Sequence, residues 1–126
     1  MNSPHPQRVV ILGASAKPHR YAHQAQVMLR QHGHQVVPVH PKLGEIDGVP
    51  VTADLSDIDG PVDTVTMYVG PAISTGLADK LIGLKPKRVL FNPGSENPEL
   101  AAQLEAAGIR TEEACTLVLL ATGRFA

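Results

Sequence analysis

The feature that most constrains the fold is a short apolar run followed by a turn of small residues and a segment with helical periodicity. Residues 9–12, VVIL, are rich in β-branched side chains, which is typical of a parallel strand covered on both faces. The small residues 13–15 follow, and apolar residues recur at helical spacing from about Arg20 to His32, before Gly33. This order predicts a strand, a tight turn and a crossover helix.

The same alternation continues along the chain. Four further segments are predicted to be strands, namely residues 36–39, 62–69, 89–91 and 109–111. Helices are predicted from Pro71 to about Gly83 and from Pro98 to Gly108, whereas residues 40–60 leave room for only a short helical turn near 55–58. Pro38 predicts an edge or terminal position for the second strand. The chain is thus predicted to be an α/β, Rossmann-like, doubly wound domain of about five mainly parallel strands flanked by helices.

Length and composition indicate one domain. With 126 residues, 43% of them hydrophobic, the chain can build a single core, which we assign to residues 8–126. Residues 1–7 contain two prolines and no periodicity, and we predict a flexible arm there. A net charge of −1 gives no general attraction for nucleic acid or an anionic membrane, so neither partner is predicted.

Cysteine usage and apolar patterning bear on the compartment. A single cysteine, Cys115, supports neither a disulfide framework nor a zinc site, and it lies in an apolar stretch that favours a structural thiol. The N-terminus lacks the pattern of a secretory signal, and no apolar run approaches the roughly 18 residues of a membrane span. These features predict a cytoplasmic protein.

The first turn has the chemistry of a phosphate site. Small residues at Gly13, Ala14 and Ser15 allow the main chain to approach a phosphate beside the positive end of a helix. Lys17 and Arg20 add two cations in the same loop. The alternative is that the small residues only allow the strand and helix to pack.

The turn does not match an ordinary NAD site. The G-x-G-x-x-G pattern would require glycines at Ser15 and Pro18. At the end of the second strand, where an acid would bind the ribose hydroxyls, the chain has His40, Pro41 and Lys42. A lysine there favours a ribose with an additional phosphate, as in NADP or coenzyme A, unless it is simply a solvated loop residue.

Four segments together resemble a known family. VVILGASAKPHRYAHQA, GHQVVPVHPK, NPGSENPEL and ACTLVLLATGRF occur in the order and spacing of small stand-alone CoA-binding proteins. These proteins share their fold with the N-terminal CoA-binding domain of the succinyl-CoA synthetase alpha subunit. The resemblance extends from Arg8 to Phe125. It implies a Rossmann-type domain that binds coenzyme A or an acyl-CoA, with the adenosine diphosphate part over the first turn.

The resemblance also implies contacts for individual residues. By position, these are Gly13, Ala14 and Ser15 at the pyrophosphate, Lys17 and Arg20 nearby, Pro41 and Lys42 at the adenosine and its 3′-phosphate, Val69 and Pro71 at the adenine, and Asn92, Pro93 and Gly94 along the pantetheine arm. His40 stands where family members usually have asparagine, which leaves the ribose contact open.

No catalytic set is evident. Ser95 and Glu96 are neighbours on a turn and cannot easily face each other, and Ser95 or Asn97 is better suited to cap the helix at Pro98. His19 and His23 are spaced as a metal pair on a helix, but no further ligand is assigned, so no metal site is predicted.

The sequence therefore predicts a CoA-binding module without catalysis of its own, acting as a carrier, sensor or regulatory subunit. Two alternatives stay open. An NADP-dependent oxidoreductase would need a proton donor, and neither Tyr21 nor Tyr68 stands in a Tyr-x-x-x-Lys arrangement. An interaction protein with a vestigial nucleotide pocket is the other alternative, and a homodimer is compatible with each.

Overall fold

The computed structural model describes residues 4–126. Its strands are β1 (Arg8–Leu12), β2 (Gln35–Val39), β3 (Glu45–Ile46), β4 (Val49–Pro50), β5 (Thr64–Met67), β6 (Arg88–Phe91) and β7 (Arg110–Glu113). Its α-helices are α1 (Tyr21–Gln31), α2 (Pro71–Ser74), α3 (Ala78–Leu84), α4 (Pro98–Ala106) and α5 (Thr116–Ala121). Single 3₁₀ turns lie at Leu55–Asp57 and Thr75–Leu77.

Five strands form one parallel sheet in the order β2-β1-β5-β6-β7. The chain moves outward from β1 to β2 and then returns to the other side of β1 to form β5, so the strand order reverses between β1 and β5. Ligands of doubly wound sheets bind beyond the carboxyl ends of the strands at such a point. The predicted α/β fold and the edge position of β2, which contains Pro38, are confirmed.

Alternate residues of the strands face two separate apolar layers, as the strand period of two requires. Val10 and Leu12 of β1 pack on the layer that contains α3 and α4. Val9 and Ile11 pack on the layer that contains α1 and α5. The sheet is therefore covered on both faces, which explains why β1 reads as an unbroken apolar run.

Residues 45–50 form a hairpin that the sequence pattern does not predict. β3 and β4 pair antiparallel across a turn in which Asp47 and Gly48 have φ values of 50° and 78°. Two positive φ values in succession are characteristic of a type I′ hairpin turn, and Asp-Gly is a preferred pair for it. The strands have only two residues each, too few for an alternating pattern to be visible.

The helix predicted from Pro71 to Gly83 is divided into α2, a 3₁₀ turn and α3. Gly76 lies in the turn, where its high backbone entropy weakens a continuous helix. At the same place the Asn97 side-chain nitrogen donates to Ser74 Oγ at 2.9 Å and Thr75 Oγ1 at 3.1 Å. Asn97 Oδ1 accepts from the backbone nitrogen of Leu100 at 3.2 Å, so Asn97, and not Ser95, caps α4.

The start of the sheet is anchored before Arg8. Residues 1–3 of the predicted arm lie outside the described residues. Gln7, at the end of that arm, accepts a hydrogen bond from Thr64 Oγ1 at 2.7 Å, and its backbone nitrogen donates to His34 Nδ1 at 3.0 Å. Gln7 is thus tied to β5 and to the residue before β2.

Within residues 4–126, every helix is too short or too polar to cross a bilayer.

Candidate functional site

The tip of β1 requires glycine. Gly13 has a φ of +88°, and a Cβ atom there would lie 2.8 Å from Val69 Cγ1 and 3.1 Å from the carbonyl of Tyr68. The main chain of the first turn therefore lies directly against the residues that follow β5. Ala14 is buried, and its backbone nitrogen donates to Val39 O at 3.1 Å, which joins the turn to the end of β2.

The remainder of the first turn leads into α1. Ser15 Oγ accepts a hydrogen bond from the backbone nitrogen of Lys17 at 3.1 Å, and the Arg20 nitrogen donates to Lys17 O at 3.0 Å. Arg20 is the N-cap residue of α1, and its own side chain makes no capping hydrogen bond. The positive end of an eleven-residue helix thus meets the turn, together with two exposed cations, Lys17 and Arg20.

A cleft of about 440 Å³, here called the main cleft, opens over this turn at the carboxyl ends of the strands. It is lined by Gly13, Ser15, Lys17, Arg20, Tyr21, Ala22, His40, Tyr68, Pro93, Gly94 and Ser95. Among the described residues, this lining contains two cations and no carboxylate. This electrostatic arrangement suits an anionic ligand such as a phosphate.

A second cleft, here called the adjoining cleft, lies on the other side of Gly13 and has a volume of about 220 Å³. Most of its lining is apolar and comes from Leu12, Val39, Pro41, Leu55, Val69, Ile73 and Leu77. Asp54 and Lys80 also line it and form an ion pair with an N···O distance of 2.6 Å. The hydrogen bonds from Lys80 and Ser56 lower the pKa of Asp54 below its usual range.

The tip after β2 is shaped by His40. Its Nδ1 atom accepts hydrogen bonds from the backbone nitrogens of Lys42 at 3.0 Å and Leu43 at 3.2 Å. An asparagine side-chain oxygen makes the same bonds to the residues that follow it in an Asx turn. His40 can therefore replace asparagine here without loss of the turn. Lys42 is exposed and lines neither cleft.

The hairpin that follows this tip is attached to α1. His23 Nε2 lies 2.8 Å from Asp47 Oδ2, and Gln26 Nε2 donates to Ile46 O at 3.0 Å. His23 is therefore held by the hairpin. No group of three or more potential metal ligands occurs among residues 4–126.

The turn after β6 lines the main cleft, but its asparagine side chain does not. Asn92 is buried, and its side chain makes three hydrogen bonds inside the fold. Pro93 and Gly94 line the main cleft. Ser95 Oγ donates to Asn92 O at 2.7 Å, and Glu96 Oε1 accepts from the Gly94 nitrogen at 2.8 Å, so the two neighbours are not paired as nucleophile and base.

The structure brings together nine of the thirteen predicted contact residues. The main cleft receives Gly13, Ser15, Lys17, Arg20, His40, Pro93 and Gly94, and the adjoining cleft receives Pro41 and Val69 beside Gly13. Those that line neither cleft are Ala14, Lys42, Pro71 and Asn92.

Four residues of the main cleft are not predicted as contacts by the sequence. They are Tyr21, Ala22, Tyr68 and Ser95. Tyr68 is the residue directly after β5, which spans Thr64–Met67. The predicted strand over 62–69 included Tyr68, and a strand that ended at Met67 would have identified Tyr68 as a candidate contact at the strand tip. Its hydroxyl is buried beside the hydroxyls of Thr66 and Thr116, and burial raises the pKa of Tyr68 to about 12.

Similar proteins share this architecture. A crystal structure of an uncharacterized protein is 42% identical and superposes with a TM-score of 0.90, covering 96% of this chain and 99% of its own. The uncharacterized protein YneT of Bacillus subtilis is 26% identical over 81% of this chain and 76% of its own length. The dinucleotide forming acetyl-coenzyme A synthetase 1 of Ca. Korarchaeum cryptofilum, 23% identical with a TM-score of 0.73, shares the fold over 84% of this chain and 25% of its own.

The family model described as CoA binding domain matches residues 7–121. That range includes the first turn, the tip after β2 and the turn after β6, which all contribute to the two clefts. The chain belongs to the CoA binding domain family.

Proposed function

We propose that this protein binds coenzyme A or an acyl-CoA across the main and adjoining clefts, as a module without catalysis of its own. The observation that carries the proposal is the main cleft itself. It lies over a glycine turn and the positive end of α1, and the described part of its lining has Lys17 and Arg20 but no carboxylate. Such a site favours the pyrophosphate of a nucleotide cofactor.

The adjoining cleft supports coenzyme A as the nucleotide. The two clefts meet at Gly13, so a ligand with its pyrophosphate at the turn has apolar walls within reach for the adenine ring. No acid stands at the end of β2, where one would repel a ribose phosphate, and Lys42 is exposed nearby. Pro93 and Gly94 provide a rim along which the pantetheine arm can leave.

The site chemistry supports binding more than catalysis. Ser95 and Glu96 each bond to other groups of the turn. The NADP-dependent reductase alternative needs a proton donor, and the hydroxyl of Tyr68 is buried while the pKa of this group is raised to about 12. A carrier, sensor or regulatory role agrees with these observations, and a homodimer and a cytoplasmic location stay predictions.

Thermal unfolding with four ligands tests the proposal. A ligand that binds only the folded state stabilises it by RT ln(1 + [L]/Kd), about 2.7 kcal/mol at a hundredfold excess over Kd. We expect coenzyme A to raise Tm most, 3′-dephospho-CoA less, and NADP and NAD little. Stabilisation by NADP but not by coenzyme A would favour the oxidoreductase, and no response to any ligand would favour an interaction protein. Native mass spectrometry of the purified protein would identify a retained CoA or acyl-CoA.

A further inference from the structure

A further cavity lies at the opposite end of the sheet, where the amino ends of β1, β5, β6 and β7 meet. Its volume is about 330 Å³, and the side chains that matter here are those of Gln7, Asp63, Thr64, Lys87, Arg88 and Arg110. Five residues of β1 separate it from Gly13, which at a rise of roughly 3.3 Å per residue is about 16 Å. The cavity is therefore distinct from the clefts of the proposed CoA site.

Arg88 is the unusual residue of this cavity. Only 6% of it is exposed, and burial is the main cause that lowers the pKa of its guanidinium. Its Nε donates to Thr64 Oγ1 at 3.1 Å, and its guanidinium carbon lies 4.7 Å from the centre of the Phe125 ring. Its Nη2 is buried and has no hydrogen-bond partner in the described part of the chain. A buried guanidinium normally has its donors satisfied by an anion or by several acceptors.

The carboxylates near Arg88 do not supply that anion. Asp63 accepts from the Arg8 backbone nitrogen at 2.7 Å and pairs with Lys87 Nζ at 3.2 Å. Glu112 is near enough to raise the pKa of Arg88, against the effect of burial. Within residues 4–126, however, neither Arg88 nor Arg110 forms an ion pair.

Arg110 increases the positive charge at the same place. It is the direct partner of Arg88 in the register of β6 and β7, and both side chains line the cavity. Like charges directly opposite each other on neighbouring strands are destabilising. The charge of Arg110 also lowers the pKa of Arg88. Two adjacent guanidinium groups therefore lie at one cavity without a paired counter-charge among the described residues.

We propose that this cavity binds a small oxyanion ligand, through a carboxylate or a phosphate group, held by Arg88 and Arg110 with Lys87 at its rim. Guanidinium groups recognise both kinds of oxyanion through paired N–H···O bonds. A bound anion offsets the repulsion between the two arginines, so ligand binding stabilises the fold at this end of the sheet. The inference goes beyond the proposed CoA function and does not depend on it.

Thermal unfolding with inorganic phosphate, acetate and chloride at equal ionic strength tests this site. Because phosphate also suits the main cleft, the reference protein is the Lys17→Gln, Arg20→Gln double variant. In that background we expect phosphate or acetate to raise Tm more than chloride does. A response to phosphate alone that the Arg110→Gln substitution abolishes assigns the ligand group as a phosphate, and a response to acetate alone that the same substitution abolishes assigns it as a carboxylate, since phosphate also stabilises folded proteins without a specific site. Equal effects of all three anions would overturn the proposal.

The Arg110→Gln substitution provides the second measurement, because Arg110 is exposed and its replacement does not disturb the core. Added to the reference background, it should weaken oxyanion binding at least tenfold and raise Tm when no oxyanion is present, since it removes the repulsion on Arg88. The matched control is Arg30→Gln on α1, which should neither weaken oxyanion binding nor raise Tm when no oxyanion is present. Unchanged oxyanion affinity in the Arg110→Gln protein would refute the site, whatever the protein does with coenzyme A.

Discussion

Asn92 and Thr116 are joined by a hydrogen bond of 2.9 Å from the backbone nitrogen of Thr116 to Asn92 Oδ1. The side-chain nitrogen of Asn92 donates to Thr66 Oγ1 at 2.7 Å and to Met67 O at 2.9 Å. One buried side chain thus connects the end of β6 to β5 and to the start of α5. Because the next two residues line the main cleft, Asn92 positions this rim without facing the ligand space.

Replacement of Asn92 by alanine should destabilise the fold. The change leaves the buried amide of Thr116 without its acceptor, and each buried polar group left unpaired costs about 1–3 kcal/mol. We expect the free energy of unfolding to fall by about 2–5 kcal/mol, measured by urea denaturation. Gln103→Ala, at an exposed position of α4, should have almost no effect. A loss below about 1 kcal/mol would show that the three hydrogen bonds contribute little.

Alanine at Gly13 should impair both stability and ligand binding. A φ of +88° is unfavourable for alanine, and its Cβ would lie 2.8 Å from Val69 Cγ1 and 3.1 Å from backbone atoms. We expect a loss of about 1–3 kcal/mol in the free energy of unfolding, and a lower affinity for coenzyme A by calorimetry. The control is Gly76→Ala, because open space surrounds Gly76 and its φ is not positive. Equal behaviour of the two variants would contradict this account of the turn.

The His40→Asn and His40→Leu variants should differ in their affinity for coenzyme A. His40 Nδ1 accepts two backbone hydrogen bonds, and an asparagine oxygen can accept the same pair. His40→Asn should therefore keep the affinity for coenzyme A within about twofold, whereas His40→Leu loses both bonds at about 0.5–1.5 kcal/mol each. Isothermal titration calorimetry of the two variants makes the comparison. Tight binding by the leucine variant would show that the ligand does not depend on this turn.

Removal of the Lys42 charge should affect selectivity more than overall binding. Lys42 is exposed, with no side-chain ion pair among residues 4–126, so its ammonium is available to a phosphate on the ribose. We expect Lys42→Ala to narrow the difference in binding free energy between coenzyme A and 3′-dephospho-CoA by about 1–3 kcal/mol. Lys17→Ala, at the pyrophosphate turn, should weaken both ligands alike. An unchanged difference in the Lys42 variant would remove Lys42 from the site.

Stability should fall as the pH drops below about 6.5 because of His34. Burial, followed by the charges of His32 and Arg88, lowers the pKa of His34 below its usual 6.5, while Asp63 opposes the shift. His34 therefore binds a proton more readily in the unfolded chain than in the folded one. The stability that the neutral His34 gives the fold is complete above pH 6.5 and is lost as the pH falls. Chemical denaturation from pH 7.5 to 5 measures the slope.

The matched variant for this titration is His34→Asn, which retains an acceptor for the Gln7 nitrogen but does not titrate. Its stability should depend less on pH over the same interval. The pKa of the Asp63 carboxyl is lowered chiefly by its hydrogen bond from Arg8. Its stabilisation of the fold is present above its usual pKa of 3.8 and is lost only below that value, so it does not change the slope between pH 7.5 and 5. Parallel pH profiles for the two proteins would exclude His34 as the cause.

The sequence by itself determined the parallel sheet, the edge position of β2 and the glycine turn after β1. Each of these depends on neighbouring residues: a β-branched run, a proline without a backbone donor, and small residues between a strand and an amphipathic helix. The same local signals placed Lys17 and Arg20 beside the turn, where both line the main cleft.

Only the tertiary structure decided which side chains reach the clefts. It turns Asn92 inward to Thr116, leaves Lys42 outside both clefts and brings Tyr68 into the lining. It also places Arg88 beside Arg110 and against Phe125. These relationships join residues far apart in the chain, and their energies depend on burial and on partners that no local pattern encodes.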